Sequence, residues 1–245
     1  MDRAGIEKAV ILQGNFIGPQ NLYTWDALQK YPERFTGAAC YDPFCRKSEE
    51  VRKHLFEDLG FKIVKFEVSD GSGLMSYHRE FPLDGEMMEE AMEYAEAHGI
   101  TAVFDIGRRG GCCWQPYALA ELIKRHKNMQ FVVCHLLAPQ GRSYENEWRD
   151  AMRALNQENV VFDLASLPHN QKPEPYPYPT AVWFIKEAIQ ILGQDRLMWG
   201  SDLPSNLCRD TYTHLYDYIL NSAELTEKEK ESILGKTAER IYFGH

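Results

Sequence analysis

Short apolar runs recur along this chain, each followed by a turn and then an amphipathic helical pattern, and that alternation limits the fold more than any other feature. The runs cover residues 8–13, 35–40, 61–68, 101–107, 130–136, 160–167 and 196–201. Helical periodicity fills the stretches 48–59, 86–98, 115–126, 144–155 and 180–192, with two further helices near 210–221 and 226–241. Strands separated by helices cannot be joined by tight hairpins, so they pair in parallel and bury both faces. Thr226 with Glu229 three residues on predicts a capping box at the start of the last helix. Residues 1–5 read as a helix end closed by Gly5, feeding directly into the first run.

A chain of 245 residues built this way has the size of an α/β barrel of the TIM type, (β/α)8, forming one domain over residues 1–245. Seven strands are visible, and the expectation is that the first strand of the barrel is missing, together with the front of the first helix. A doubly wound open sheet is the competing architecture. No glycine-rich G-x-G-x-x-G turn follows an early strand to support it.

In a barrel the polar residues that do chemistry stand at the C-terminal ends of strands. The run RLMWGSDLP puts Asp202 at such an end, although a strand-end aspartate can also cap the next helix or turn. Period-two alternation groups Lys65 with Glu67, sets Asp105 against Phe104 and Ile106, places His135 with Val133 and Phe131, and sets Asp163 against Phe162 and Leu164. Lys65, Glu67, Asp105, His135, Asp163 and Asp202 are therefore expected to converge. Several carboxylates in one partly dry pocket repel one another, which calls for a divalent metal, Lys65 or a cationic substrate among them. GRRGG at 107–111 offers Arg108 and Arg109 as a clamp for a carboxylate or phosphate, or simply a tight turn with solvated arginines. The proline-rich stretch 168–179 has the position of a lid, from which His169, Tyr176 and Tyr178 can reach the pocket, or is a plain surface loop stiffened by its prolines. His54, His98, His126, His214 and His245 fall on helices or the terminus and read as structural or solvated.

The balance of 36 acidic against 27 basic side chains, a formal charge of −9, argues against nucleic acid and anionic membranes as partners. A small-molecule substrate is the expected partner, with a homodimer allowed. Six cysteines without a C-x-x-C pair, in a chain too large to need staples, predict reduced and mostly buried thiols in a cytoplasmic protein.

With these residues in place the chain resembles the amidohydrolase superfamily, and most closely its amidohydrolase-related branch of metal-dependent hydrolases and decarboxylases. The resemblance rests on MDRAGIEKAVI (1–11), YPERFTGAACYDP (31–43), FVVCHL (131–136), NVVFDLASL (159–167), DRLMWGSDLP (195–204) and ILGKTAERIY (233–242). It implies a divalent metal, zinc first, at the strand tops. Asp202 then matches the aspartate that binds metal and can act as base, and His135 the histidine that ligates metal or positions water. Asp105, the third metal ligand of the set, stands where the family usually has a histidine, and the family's first strand with its H-x-H or E-x-H is the one expected to be missing from these residues. The implied activity is metal-dependent hydrolysis or non-oxidative decarboxylation of a small organic acid, ester or lactone. Catalysis would fall to Asp202, His135 and Lys65, with Arg108, Arg109, His169, Glu67 and Asp163 binding substrate. Schiff-base chemistry on Lys65 is an alternative that the neighbouring carboxylates disfavour, since they raise a lysine's pKa. A truncated or degenerate barrel that only binds a ligand or partner is the other.

Overall fold

The computed structural model describes residues 1–244. Contacts divide the chain into two compact units, Met1–Val132 and Val133–His245.

In the first unit, β1 (Ala9–Ile11) pairs in parallel with β2 (Phe35–Gly37), and β3 (Ala39–Cys40) pairs in parallel with β4 (Ile63–Glu67). The single strand expected over 35–40 is thus two segments. At Ala38 the backbone N–H still donates to Ile11 O, after which the chain changes partner. Gly37 permits the crossing. A Cβ there would stand 3.0 Å from Thr24 Cγ2 and 3.2 Å from Ile11 O. β4 pairs along its whole length with β5 (Thr101–Asp105), in a register that sets Phe66 beside Phe104 and Glu67 beside Asp105. Parallel in-register strands stack like side chains. Tyr41, Phe66, Phe104 and Phe131 form a ladder of rings with successive centroids 6.2, 5.2 and 6.3 Å apart. Phe131 opens β6 (Phe131–Val133), which crosses the division between the units.

The helices follow the apolar spacing. In α1 (Asn21–Lys30) only Thr24 is buried, and no single apolar face announces the helix in the sequence. α2 (Ser48–Lys53) widens into a π turn over His54–Asp58, and α3 (Leu74–Tyr77) is one short turn. α4 (Glu86–Ala97) buries Met88, Ala91, Met92 and Ala95, one stripe at i, i+3, i+4 and i+7. α5 (Pro116–Arg125) starts on proline and buries Leu119, Ala120, Leu122 and Ile123.

In the second unit β7 (Val160–Asp163) pairs in parallel with β8 (Leu197–Met198). The helices are α6 (Glu145–Ala154), the short α7 (Leu167–Asn170), α8 (Pro179–Leu192) and α9 (His214–Leu220). α10 (Glu227–Glu231) runs through a π turn, Ser232–Lys236, into α11 (Thr237–Tyr242). The capping box is formed. Glu229 N donates to Thr226 Oγ1 at 3.3 Å and Thr226 N donates to Glu229 Oε2 at 2.7 Å.

β1, β4 and β5 stop one or two residues before their apolar runs do, and three strands stop three or four residues early. β6 ends at Val133, β7 at Asp163 and β8 at Met198, where 136, 167 and 201 were expected. β8 stops where Trp199 N turns to Ile233 O. Left-handed backbone follows each of the three, at His135 to Ala138 after β6, at Ser166 after β7 and at Asp202 after β8. None of these residues is glycine, so each adopts a conformation that its Cβ disfavours.

None of the six cysteines forms a disulfide. Cys40, Cys113 and Cys134 are buried, while Cys112 and Cys208 are exposed. No helix among the described residues is long and apolar enough to cross a membrane.

Phe104 is fully buried at the middle of the ring ladder. Replacing it with alanine is expected to cost about 3–5 kcal/mol, through lost burial and a cavity the paired strands cannot close. Urea denaturation measures it, and a cost under about 1 kcal/mol contradicts the packing described.

Candidate active site

The second unit gathers its polar residues where its strands end. Asp163 closes β7 and is buried, and its Oδ1 accepts from His135 N at 2.9 Å and from Ala165 N at 3.0 Å. One carboxylate oxygen therefore ties the exit of β6 to the exit of β7. The His135 ring returns the link, since its Nδ1 lies 2.8 Å from Ala165 O. A carbonyl oxygen only accepts, so Nδ1 carries the hydrogen and the neutral ring keeps its lone pair on Nε2.

The next residue holds the second candidate. Ser166 donates its hydroxyl to Asp202 Oδ2, and Asn206 Nδ2 donates to Ser166 Oγ at 3.1 Å. Gly200 lets this happen, because a Cβ there would lie 2.9 Å from Ala165 Cβ. His135 and Asp202 are thus anchored on consecutive residues, Ala165 and Ser166. Asp202 is not a cap. The 3-10 turn Ser205–Cys208 that follows it has no side-chain cap bond.

His169 lies on α7, where Arg209 donates to its Nε2. Burial holds its pKa below the ordinary histidine value, helped by the charges of Arg209 and Lys172 and opposed by Asp202. Tyr176 and Tyr178, the other two residues offered from this stretch, pack on aromatic neighbours. Tyr176 stacks on His214 with centroids 4.2 Å apart, and Tyr178 packs edge-on against Tyr218.

The first unit uses its candidates differently. Glu67 is buried and accepts from Asn15 N at 2.8 Å, Ser72 Oγ at 2.9 Å and Ser69 Oγ at 3.3 Å. Asn15 is gripped on all sides, its carbonyl by Tyr77 Oη at 3.2 Å and its side chain by the Cys40 thiol at 2.6 Å. Burial pushes that thiol up to about 11. Glu67 therefore pins the loop after β1. Lys65 is buried on β4, a strand covered on both faces. Asp105 Oδ1 accepts from Gly107 N at 3.0 Å and shapes the turn behind it. That turn has Gly107 and Gly110 at positive φ, and Arg108 and Arg109 stand exposed on it.

The alternation of β6 does not aim His135. Phe131 joins the Phe66–Phe104 ladder, on the face that Asp105 avoids, and period two would carry His135 to that face as well. The left-handed turn at φ 59 sets its direction instead. Ser166 and Asn206 are absent from the expected set. Ser166 precedes Leu-Pro and reads as an ordinary helix cap, and Asn206 carries only its spacing of four from Asp202 as a signal.

The amidohydrolase family model matches residues 1–244. The chain belongs to the amidohydrolase family. Solved structures share the architecture at low identity. An amidohydrolase of Burkholderia multivorans with bound zinc superposes with a TM-score of 0.79 at 17% identity, covering 99% of this chain and 85% of that one. A probable 2-pyrone-4,6-dicarboxylic acid hydrolase of Acinetobacter baumannii with citric acid bound gives 0.74 at 17%, covering 100% and 86%. The 2,6-dihydroxybenzoate decarboxylase of Rhizobium gives 0.64 at 17%, covering 98% and 85%. No curated protein matches in sequence. The fold is α/β with parallel strands, like that of TIM-barrel amidohydrolases, and the chain is an enzyme of that superfamily.

The family is generally metal-dependent, so the donors must be weighed. Among the described residues no three His, Cys, Asp or Glu side chains form a group that could hold a metal ion. Asp202 is paired with a serine, and the one Asp163 oxygen near His135 already serves two backbone amides. The residues as placed do not make a metal centre, and no chemical step is assigned to one.

His169 gives the site a pH signature. Unfolded, its imidazole takes up a proton near pH ~6.5, whereas in the fold it does so only at lower pH. Between those values the unfolded chain binds more protons, so this residue's contribution to stability falls as pH falls through that window. The stability advantage of wild type over His169→Gln should shrink from about pH 7.5 to about pH 5.5 in urea titrations. A constant or growing advantage contradicts the placement of His169.

Proposed function

We propose that this amidohydrolase acts on a small organic acid or its lactone or ester, by hydrolysis or by non-oxidative decarboxylation, with His135 and Asp202 as the proton-transfer pair. The observation that carries the reading is the anchoring of both side chains on the adjacent residues Ala165 and Ser166. Each has one atom committed. With Nδ1–H on a carbonyl, the neutral His135 ring keeps its lone pair on Nε2. Asp202 offers Oδ1, because Oδ2 is committed to a hydroxyl.

Such a pair serves both reactions. In hydrolysis one group takes the proton of the attacking water and the other supplies a proton to the leaving oxygen. In decarboxylation a proton must reach the carbon that loses carbon dioxide, and a protonated member of the pair delivers it. Backbone strain supports the same location. Non-glycine residues held at positive φ concentrate where packing over-determines them, commonly at functional sites. Here they include His135, Ser166 and Asp202.

Acidic substrates are favoured by two observations. Similar structures hold citrate or act on carboxylic acids. His169 carries a bound guanidinium beside Asp202. Zinc remains the first metal to try, because a similar structure binds it. A third strong ligand has to come from outside the set His135, Asp163 and Asp202, so this chain should retain zinc only weakly.

The test is a screen of aromatic acids, dicarboxylic acids and aryl lactones, following proton release and carbon dioxide release, with and without added zinc. Asp202→Asn and His135→Asn should each lower kcat by about 10²–10⁴-fold with the melting temperature held. Either variant keeping wild-type turnover removes that residue from the reading.

A further inference from the structure

Ser166 occupies the N-cap position of α7, where a serine hydroxyl ordinarily accepts from an amide of the first turn. It makes no such bond. The hydroxyl is turned to Asp202 Oδ2, and the helix goes without its side-chain cap. Its acceptor side is taken by Asn206 Nδ2, at 3.1 Å. The orientation of that amide is fixed by chemistry, since Nδ2 also lies 3.0 Å from the carbonyl of Ser201, which only accepts. A hydroxyl that already accepts from Asn206 has a single proton to give, and here it goes to the carboxylate.

Folding stability gives no reason for this arrangement. Ser166 sits at φ 59 and Asp202 at φ 49, both in the left-handed region without being glycine. Asn206 is 3% exposed, and its Oδ1 is buried with no hydrogen-bond partner. Unpartnered buried acceptors are rare because they lose water and gain nothing. A missing cap, two strained residues and an orphaned amide oxygen all converge on the placement of one carboxylate.

We propose that Ser166, braced by Asn206, is a positioning residue that clamps Asp202 by Oδ2 and presents Oδ1 to the substrate. This rests on the reading of Asp202 as a proton-transfer group. Ser166 itself exchanges no proton with substrate. It selects which carboxylate oxygen works and removes the free rotation that would otherwise scatter it.

The experiment compares wild type, Ser166→Ala, Ser166→Gly, Ser166→Asn and Asp202→Asn, by crystal structure and by turnover of dihydrocoumarin, an aryl lactone. Glycine removes the hydroxyl while relaxing the left-handed backbone, so Ser166→Gly should melt no lower than wild type. The carboxylate of Asp202 should nonetheless leave its wild-type rotamer in both the alanine and glycine structures. For those two variants kcat should fall about 10–100-fold, with KM little changed. Asparagine tolerates the left-handed region and keeps a donor, so Ser166→Asn should recover part of the loss. An Asp202 rotamer unchanged in both the alanine and glycine structures overturns the proposal, whether or not the lactone is turned over. So does wild-type kcat in Ser166→Gly when Asp202→Asn is inactive, which leaves the reading of Asp202 standing. Full activity in Asp202→Asn overturns that reading, and the positioning role with it.

Discussion

One oxygen of one buried carboxylate holds the second unit's strand ends in place. Asp163 Oδ1 accepts the backbone N–H of His135 and of Ala165, and those two bonds fix where the chain leaves β6 and β7. The Ala165 carbonyl then orients the His135 ring, and the Ser166 hydroxyl beside it takes Asp202. A buried carboxylate is tolerable only when donors meet it, and here the donors are main-chain amides that no rotamer change can withdraw. The left-handed residues His135 to Ala138 and Ser166 are held in part by this knot. Each such residue costs on the order of 1–2 kcal/mol in isolation, so the packing around Asp163 has to supply it. Phe162, Leu164 and Leu167 do so as fully buried neighbours.

The first unit shows the opposite use of a buried carboxylate. Glu67 meets three donors from the segments that follow β1 and β4, and its work is to fasten Asn15. With the Cys40 thiol and the Tyr77 hydroxyl on the same residue, the loop carrying Phe16 and Ile17 is fixed although those side chains are exposed. Two acids that look alike at strand ends thus serve loop anchoring in one case and strand-end geometry in the other. Composition and charge cannot separate them. The number and source of their donors can.

Much of the architecture is legible in the sequence, because burial imposes periods that survive in the order of residues. The stripe Met88, Ala91, Met92, Ala95 and the runs IVKFE and TAVFD need little beyond the periods of helix and strand. The Thr226–Glu229 box could be read from two residues and their spacing. Stretches such as DRLMWGSDLP also expose the family, which the match over residues 1–244 bears out. What could not be read is where strands end. Cys134 to Leu137 are apolar enough to continue β6, and no glycine warns of the left-handed turn. Alternation consequently named His135 while giving the wrong reason for its direction. The split at Ala38 was hidden for a related cause, since a change of pairing partner leaves the apolar run unbroken. Ser166 and Asn206 escaped notice because their importance lies in bonds they decline to make elsewhere. A serine before Leu-Pro predicts a cap, and only the structure shows the hydroxyl turned away from it.

The account stands on the knot at Asp163, and backbone hydrogen exchange reads it without knowledge of the substrate. In wild type the amides of His135 and Ala165 should exchange slowly, because a buried carboxylate accepts from both. In Asp163→Ala those two amides should exchange at least about tenfold faster, while Val161 and Phe162 within β7 keep most of their protection. Unchanged protection at His135 and Ala165 in that variant would contradict the claim that Asp163 sets the geometry of the candidate site.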